Sequence, residues 1–328
     1  MTFFILTLFQ TGYKLRISTL HHLLTGKRTS SVLLHGFFYK NLAYLGALPD
    51  LTAAVFQKAI QELAQKELIV IEEGFGYLTA QGAEYLARQR IDLQGINNLR
   101  YGRMREEVWQ LLLFAVQVVS QLSFSEKNYL PIENRPYYLQ LIKTWLAHSD
   151  PGLTERFPEE LVQIFSQLPT EVANFLANQF SGYHQQGKTT FQLLPENFRV
   201  EPWDQLYRQR AIDLFLAQIK EGELSRLLAP LDQQNLNQSM LKTREYFLAD
   251  KTIEEILRLR HLKPGTINDH FIEWALLDEA FPFDHFERVD FAGLTEAQVI
   301  GLHYQDYSVS YLNFRLSQIY YLREQSWN

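Results

Sequence analysis

The chain has 328 residues, of which 46% are hydrophobic and 14% aromatic, enough for packed cores in two or three domains. Its 31 basic and 37 acidic residues give a net charge of −6, which argues against strong nonspecific nucleic-acid binding, because that binding depends on phosphate neutralisation. The absence of cysteine excludes disulfides, thiolate nucleophiles and cysteine-ligated zinc, and it suits a cytoplasmic protein.

The pattern of the first hundred residues predicts a winged-helix-like domain over 1–100. Its apolar start, FFILTLF, is too short to span a bilayer and lacks the marks of a signal peptide, so we expect a buried first element and no membrane segment. Helices are predicted over Ser18–Thr25 and Leu51–Glu67, the second with Val55 on its buried stripe. A strand over Leu68–Ile71, a glycine turn and a return strand then predict a β-hairpin, which would form the wing.

Positive charge is concentrated near the amino terminus. Residues 1–49 contain five basic and no acidic residues. Among them, Lys27 and Arg28 follow the C-cap glycine of a predicted helix and precede three hydroxyl residues that could also meet phosphate. The alternative is that both cations complement the dipole of the preceding helix. We take Lys27 and Arg28 as candidate DNA contacts.

The middle of the chain, 101–235, is predicted to be helical, with prolines between its helices. Arg105–Leu122 is expected to be a helix buried on most faces, and Glu159–Leu168 and Glu171–Phe180 are expected to form a pair. The amide-rich stretch Leu231–Gln238 lacks periodicity and is the predicted linker to a third domain over 236–328.

The segment Gly182–Thr189 satisfies the phosphate-binding string G-x-x-x-x-G-K-T. Its context argues against a nucleotide site, because a helix rather than a strand is predicted before it and Pro195 interrupts the sequence soon after it. No histidine spacing typical of metal sites and no nucleophile elbow occurs. We therefore predict a non-enzymatic protein with no cofactor and no small-molecule substrate.

The most informative stretch is Thr252–Phe271, which predicts a helix-turn-helix. Thr252 and Glu255 have the spacing of a capping box, and Pro264 suits the first turn of a second helix. The outward face would enter the major groove of DNA. The candidate DNA contacts on this module are Arg258, Arg260, Lys263, Thr266, Asn268 and His270.

The charge of this module leaves an alternative open. From Ser239 to Asp290 there are seven basic and eleven acidic residues, whereas a typical DNA-reading module is basic on one face. The module could equally serve as a scaffold for protein contact.

Three segments carry a family resemblance. The block 243–276 resembles the helix-turn-helix domain found at the end of some RecQ-type helicases and in YpbB-like proteins of Gram-positive bacteria. The segments 21–32 (HHLLTGKRTSSV) and 180–193 (FSGYHQQGKTTFQL) are also similar to YpbB-like proteins. The residues matched in the C-terminal block are Ile253, Glu254, Glu255, Ile256, Arg260, Leu262, Thr266, Ile267 and His270.

The resemblance implies a helical, DNA-associated protein that is a partner of a RecQ-type helicase. Two positions depart from the pattern: Lys263 stands where a serine-like cap is usual, and Gly265 replaces a residue with a side chain. Both departures weaken the expectation of base-specific contacts from the start of the second helix.

These observations predict a mostly α protein with a winged-helix-like N-terminal domain, a helical middle and a C-terminal helix-turn-helix domain. The leading hypothesis is a cytoplasmic, non-enzymatic accessory protein of a RecQ-type helicase in repair or recombination, with weak or structure-selective DNA binding. The alternatives are a helix-turn-helix transcription regulator, which would show a defined operator, and a protein-interaction scaffold without DNA binding.

Overall fold

A computed structural model describes residues 1–89 and 92–327. Within them the chain forms eighteen α-helices and one sheet of three short strands, which confirms the predicted mostly α class. The residues group into two compact units, one formed by Met1–Arg90 with Leu236–Asn328 and the other by Ile91–Asn235.

The N-terminal segment of the first unit is winged-helix-like. Its helices are α1 (Thr2–Thr7), α2 (Ile17–Leu24), α3 (Ser30–Phe38), α4 (Ala53–Gln65) and α5 (Ala80–Ala87), with a 3-10 turn at Leu42–Tyr44. Its strands are β1 (Leu15–Arg16), β2 (Ile69–Glu72) and β3 (Phe75–Leu78). They form one antiparallel sheet in the order β1-β3-β2, with Leu15 opposite Gly76 and Ile69 opposite Leu78.

The local sequence explains this segment. The apolar start is buried as α1, as predicted, and the predicted hairpin forms with Gly74 in its turn at φ 80°. Gly82 allows α5 to approach the residue that precedes β2, because a Cβ there would lie 2.1 Å from the carbonyl oxygen of Leu68. The prediction that Val55 is buried is wrong: Val55 is 49% exposed, and Phe56 takes the core position one residue further along α4.

The C-terminal segment of the first unit is built around one long, enclosed helix. Its helices are α14 (Gln238–Leu248), α15 (Ile253–Arg260), α16 (Pro264–Leu277), α17 (Glu296–Gly301) and α18 (Tyr311–Trp327), with 3-10 turns at Phe283–His285 and Tyr304–Asp306. α16 packs against α14, α15 and α18, and also against α3 of the N-terminal segment. The two ends of the chain therefore share one unit.

The second unit is helical and has its own core. Its helices are α6 (Asn98–Tyr101), α7 (Arg105–Ser123), α8 (Pro136–His148), α9 (Leu153–Ser166), α10 (Thr170–Ala177), α11 (Thr190–Leu193), α12 (Trp203–Leu216) and α13 (Glu223–Asp232), with 3-10 turns at Glu196–Phe198 and Gln233–Asn235. Trp109 of α7 is buried against the rings of Phe180 and Phe215. Arg105 and Asp213 form a buried ion pair at 2.6 Å beside this core.

The compact units and the predicted domains 1–100, 101–235 and 236–328 divide the chain differently. The boundary after residue 235 is common to both divisions, whereas 92–100 lie in the helical unit. Most of the first predicted domain and the third one form a single unit, in which α3 packs against α16 and Arg28 pairs with Glu273. The predicted linker is structured: Asn235 is buried and its side chain donates to the Leu99 carbonyl at 3.0 Å.

Candidate nucleic-acid interface

The predicted helix-turn-helix is present as α15 and α16. The capping box forms, with Thr252 N donating to Glu255 Oε2 at 2.8 Å and Glu255 N donating to Thr252 Oγ1 at 3.2 Å. His261 ends α15 in the left-handed region with φ 50°, and Pro264 occupies the first turn of α16. The Lys263 side chain does not cap this helix, but its carbonyl accepts from the N–H groups of Thr266 and Ile267 at 3.0 and 3.3 Å. Pro264 has no N–H, so Gly265 carries the one N–H of the first turn that makes no backbone hydrogen bond within the described residues.

Arg260 serves the interior of this module. Its Nη1 donates to the Ser239 carbonyl at 2.6 Å and also to Thr243 Oγ1, and its Nη2 donates to the Ser239 hydroxyl at 2.9 Å. These bonds fix the end of α15 to the first turns of α14. The structure therefore corrects the assignment of Arg260 as a DNA contact, because its donors are used inside the protein.

His270 belongs to the same internal network. It is 5% exposed, and its Nδ1 lies 2.8 Å from the buried hydroxyl of Thr243. Burial, and next the nearby Arg260 guanidinium, lower the pKa of His270. A neutral, enclosed imidazole cannot meet DNA phosphate, so this assignment is also corrected.

Arg28 forms a buried ion pair with α16. Its Nε donates to Glu273 Oε1 at 2.7 Å, and the side chains of Arg28 and Glu273 are 8% and 6% exposed. The other carboxylate oxygen of Glu273 accepts from Asn237 Nδ2 at 2.9 Å, and Asn237 in turn caps α14. This triad ties the start of α3 to α14 and α16. The pairing removes Arg28 from the predicted DNA contacts.

Five of the eight predicted contacts remain available. Lys27, Arg258 and Lys263 are exposed, and Thr266 and Asn268 are partly exposed. Lys263, Thr266 and Asn268 lie at the start of α16, where the first turn holds no acidic residue. Their role in DNA binding stays a prediction. The exposed carboxylate of Asp269 in the next turn disfavours a close approach of phosphate there.

Gly265 has no internal requirement for glycine. It lies in the first turn of α16, and nothing lies within 4 Å of a Cβ built on it. The fold does not explain the residue. An open backbone at this position leaves space for an external group to approach α16 closely.

The segment Gly182–Thr189 does not have the geometry of a phosphate-binding loop. It follows α10 rather than a strand, and it turns back on itself through a bridge between Gly182 and Gln185. Thr189 begins the four-residue helix α11 with a capping box, and the Lys188 backbone N donates to the Asn178 carbonyl at 2.8 Å. A phosphate cradle needs free N–H groups at the start of a long helix, so this is a helix connection.

A second cationic surface was not predicted from the sequence. A groove of about 640 Å³ opens on the first unit between the segment 13–19, α3 and the helices α17 and α18. Lys14, Arg16 and Arg315 line it, together with aromatic rings. We name it the basic groove. The one signal for it was the stretch 1–49 without acidic residues, which supplies Lys14 and Arg16 but says nothing of Arg315.

Over residues 1–89 and 92–327, no group of three or more His, Asp or Glu side chains is placed to hold a metal ion. Nor does any helix in that described part of the chain have the length and apolarity needed to cross a membrane.

Comparison with known proteins supports the C-terminal assignment. The family described as a helix-turn-helix domain matches residues 239–301. Over 280 residues, 82% of this chain and 80% of the relative, the chain is 23% identical to Protein YpbB of Bacillus subtilis (strain 168). No solved structure matches the chain significantly. The predicted resemblance to YpbB-like proteins is thus confirmed, as is the C-terminal helix-turn-helix domain, a class typical of DNA-binding proteins.

Proposed function

We propose that this YpbB-like chain is a non-enzymatic accessory protein of a RecQ-type DNA helicase, acting in repair or recombination. The similarity over most of the chain and the helix-turn-helix at 239–301 support the proposal. The observation that carries it is the exposed turn of that module, where Arg258, Lys263 and the polar first turn of α16 face solvent. The helicase would supply ATP hydrolysis. A cytoplasmic location belongs to the proposal, because bacterial DNA and its helicases lie there.

The charge of this surface favours weak binding to the DNA backbone. Two exposed cations beside the Gly265 N–H at the helix start can hold a small number of phosphates. Asp269 follows one turn later and opposes deeper insertion into a groove. Backbone contact without base reading suits an accessory protein whose placement on DNA is set by the helicase.

A second candidate is a protein-interaction scaffold without DNA binding. It is favoured by the internal use of Arg28, Arg260 and His270, which removes three polar groups from the surface expected to face DNA. In this case the exposed turn would contact the helicase itself.

The DNA part of the proposal is tested by fluorescence anisotropy with blunt duplex and forked DNA at two salt concentrations. The double variant Arg258→Ala/Lys263→Ala should weaken duplex binding and reduce the slope of log K against log salt by about two, about one for each lost phosphate contact. The matched control is Lys143→Ala, an exposed cation on α8, which should bind like the original chain.

The helicase part is tested by co-sedimentation with a RecQ-type helicase from the same organism and by the rate of fork unwinding. The proposal expects association and a changed unwinding rate. Association without DNA binding by this chain would identify the scaffold instead. Tight binding to one palindromic duplex would identify a transcription regulator. The absence of both DNA binding and helicase association would refute the proposal.

A further inference from the structure

The basic groove differs from the rest of the chain in its charge. Arg16 of β1, Lys14 just before that strand and Arg315 of α18 line the groove. The residues that line it, all in the described part of the chain, include no Asp or Glu, although the whole chain carries a net charge of −6. The nearest acidic partners stand at the edge: Glu72 pairs with Lys14 at 3.5 Å, and Glu296 accepts from the Tyr13 hydroxyl at 3.5 Å.

Aromatic rings line the groove together with these cations. Tyr13, Tyr39, Phe75 and Tyr311 all line the groove and are partly exposed. Lys14 Nζ lies 5.5 Å from the ring centre of Phe75, and the Arg315 guanidinium lies 5.3 Å from that of Tyr311. Arg16 is opposite Phe75 across the sheet. Two of the three cations that line the groove therefore lie near an aromatic ring, and the third is the strand partner of an aromatic residue.

Several polar atoms in the groove have no internal use. Arg16 is exposed and forms no ion pair with any residue that the structure describes. The Arg315 Nε is buried without a hydrogen-bond partner, although its Nη1 donates to Gln318 Oε1 at 2.6 Å. His35 lines the groove at 9% exposure, beside the backbone of Arg16. A polar ligand in the groove would pair with the exposed Arg16 guanidinium.

We propose that the basic groove binds single-stranded DNA, with phosphates held by its cations and bases stacked on its aromatic rings. Proteins that bind single strands without sequence preference combine a cationic groove with aromatic stacking platforms. The inference rests on the proposed function. It adds that single-stranded DNA binds in the basic groove, a surface separate from the exposed turn of the helix-turn-helix.

Other ligands fit the groove less well. A free phosphate would occupy a small part of about 640 Å³ and would leave the rings unused. Duplex DNA keeps its bases stacked inside the helix, where Tyr13 and Tyr311 could not reach them. An acidic peptide would satisfy the cations but offers no flat bases for the four partly exposed rings. A single strand alone uses both kinds of side chain.

The test measures binding of fluorescein-labelled dT12 to the intact chain by anisotropy over a salt series. Arg16→Ala should lower the slope of log K against log salt by about 0.7, the value for one phosphate of a single strand. Tyr311→Ala should weaken dT12 binding roughly tenfold, the loss of one stacked base. Lys143→Ala, on α8 and outside the groove, is the matched control and should leave binding unchanged.

Two comparisons show whether the bases take part. An abasic strand of the same length should bind the original chain more weakly than dT12 binds Tyr311→Ala, because it lacks every stacked base and the variant lacks one stacking ring. Equal affinity for the abasic strand and dT12 would overturn the stacking part of the proposal. Displacement of dT12 by polyglutamate at equal charge would identify an acidic protein segment as the ligand and would also overturn it.

The same variants separate this inference from the proposed function. Arg16→Ala should leave blunt-duplex binding and helicase association intact, because Arg258 and Lys263 lie outside the groove. Duplex binding and helicase association without any dT12 binding would overturn the groove assignment and leave the proposed function standing. Groove-dependent dT12 binding without duplex binding or helicase association would do the reverse. Thermal melting compares Arg16→Ala and Tyr311→Ala with the original chain, and unchanged melting temperatures establish that both variants are folded.

Discussion

In the helix-turn-helix, Arg260 donates to Ser239 and Thr243, and Glu273 of α16 pairs with Arg28 from the N-terminal segment. Both guanidinium groups are therefore bound between helices. In the basic groove, Arg16 faces solvent without an ion pair in the described structure, and Arg315 donates to the neutral amide of Gln318. The sequence places basic residues in both regions, although the helix-turn-helix segment carries more acidic residues than basic ones. The Glu273 carboxylate and the Ser239 carbonyl bind the cations of the helical module, whereas no Asp or Glu of the described residues lines the groove. The positive charge of the groove therefore stays at the surface.

The largest effect on stability is expected from the removal of Glu273. Glu273→Ala leaves Arg28 buried without its partner, and we expect the free energy of unfolding to fall by about 3–5 kcal/mol. Urea denaturation measures the loss. Glu254→Ala, an exposed carboxylate on α15, is the control and should change stability by less than about 0.5 kcal/mol. An unchanged stability together with tighter DNA binding would mean that Arg28 is a DNA contact after all.

The second prediction concerns His35 and pH. Burial lowers the pKa of His35 from 6.5 to about 4, against a smaller opposing effect of the Arg16 backbone. Between these values the unfolded chain binds a proton that the folded chain does not, so stability is full above pH 6.5 and falls as the pH drops towards 4. The expected loss from this residue is about 2–3 kcal/mol, at about 1.4 kcal/mol per pH unit.

Urea titrations of the original chain and of His35→Phe at pH 4.5, 5.5 and 7 measure this contribution. The difference in unfolding free energy between the two proteins should change with pH in the stated direction. A difference that is constant with pH would show that the His35 imidazole is not held neutral by burial.

Thr243→Val tests the internal network at a smaller scale. The hydroxyl of Thr243 is bonded to both Arg260 and His270, and valine keeps its shape without the oxygen. We expect a loss of about 1–3 kcal/mol, because the polar groups left behind are buried. Duplex DNA affinity should not change when measured well below the melting temperature. A loss of DNA affinity without a loss of stability would restore Arg260 to the interface.

The smallest effect is expected at Gly265. Since nothing lies within 4 Å of a Cβ there, Gly265→Ala should raise the free energy of unfolding by about 0.5–1 kcal/mol through helix propensity. Chemical denaturation checks the stability, and duplex anisotropy checks the function. A stabilised variant with weaker duplex binding would show that DNA approaches the backbone at this turn. A destabilised variant would contradict the open geometry of the first turn.

The residues that carried the family resemblance explain what could be predicted. Ile256, Arg260, Ile267 and His270 are buried or bonded internally, so they identify the fold of the module and not its ligand. The capping box and Pro264 act within a few residues, and for that reason both helices could be placed from sequence. The burial of Val55 was misjudged because Phe56 also fits a helical spacing and is larger.

By itself, the sequence determined the local elements: the mostly α class, the wing hairpin, the capping box of α15 and the start of α16. These depend on contacts between residues a few positions apart. Only the tertiary structure decided that the two chain ends form one unit, that Arg28 meets Glu273 from 245 positions away, and that Arg16 and Arg315 line one groove. The use of a charged side chain depends on which distant acceptor the fold brings to it, and a charge pattern along the chain does not contain that information.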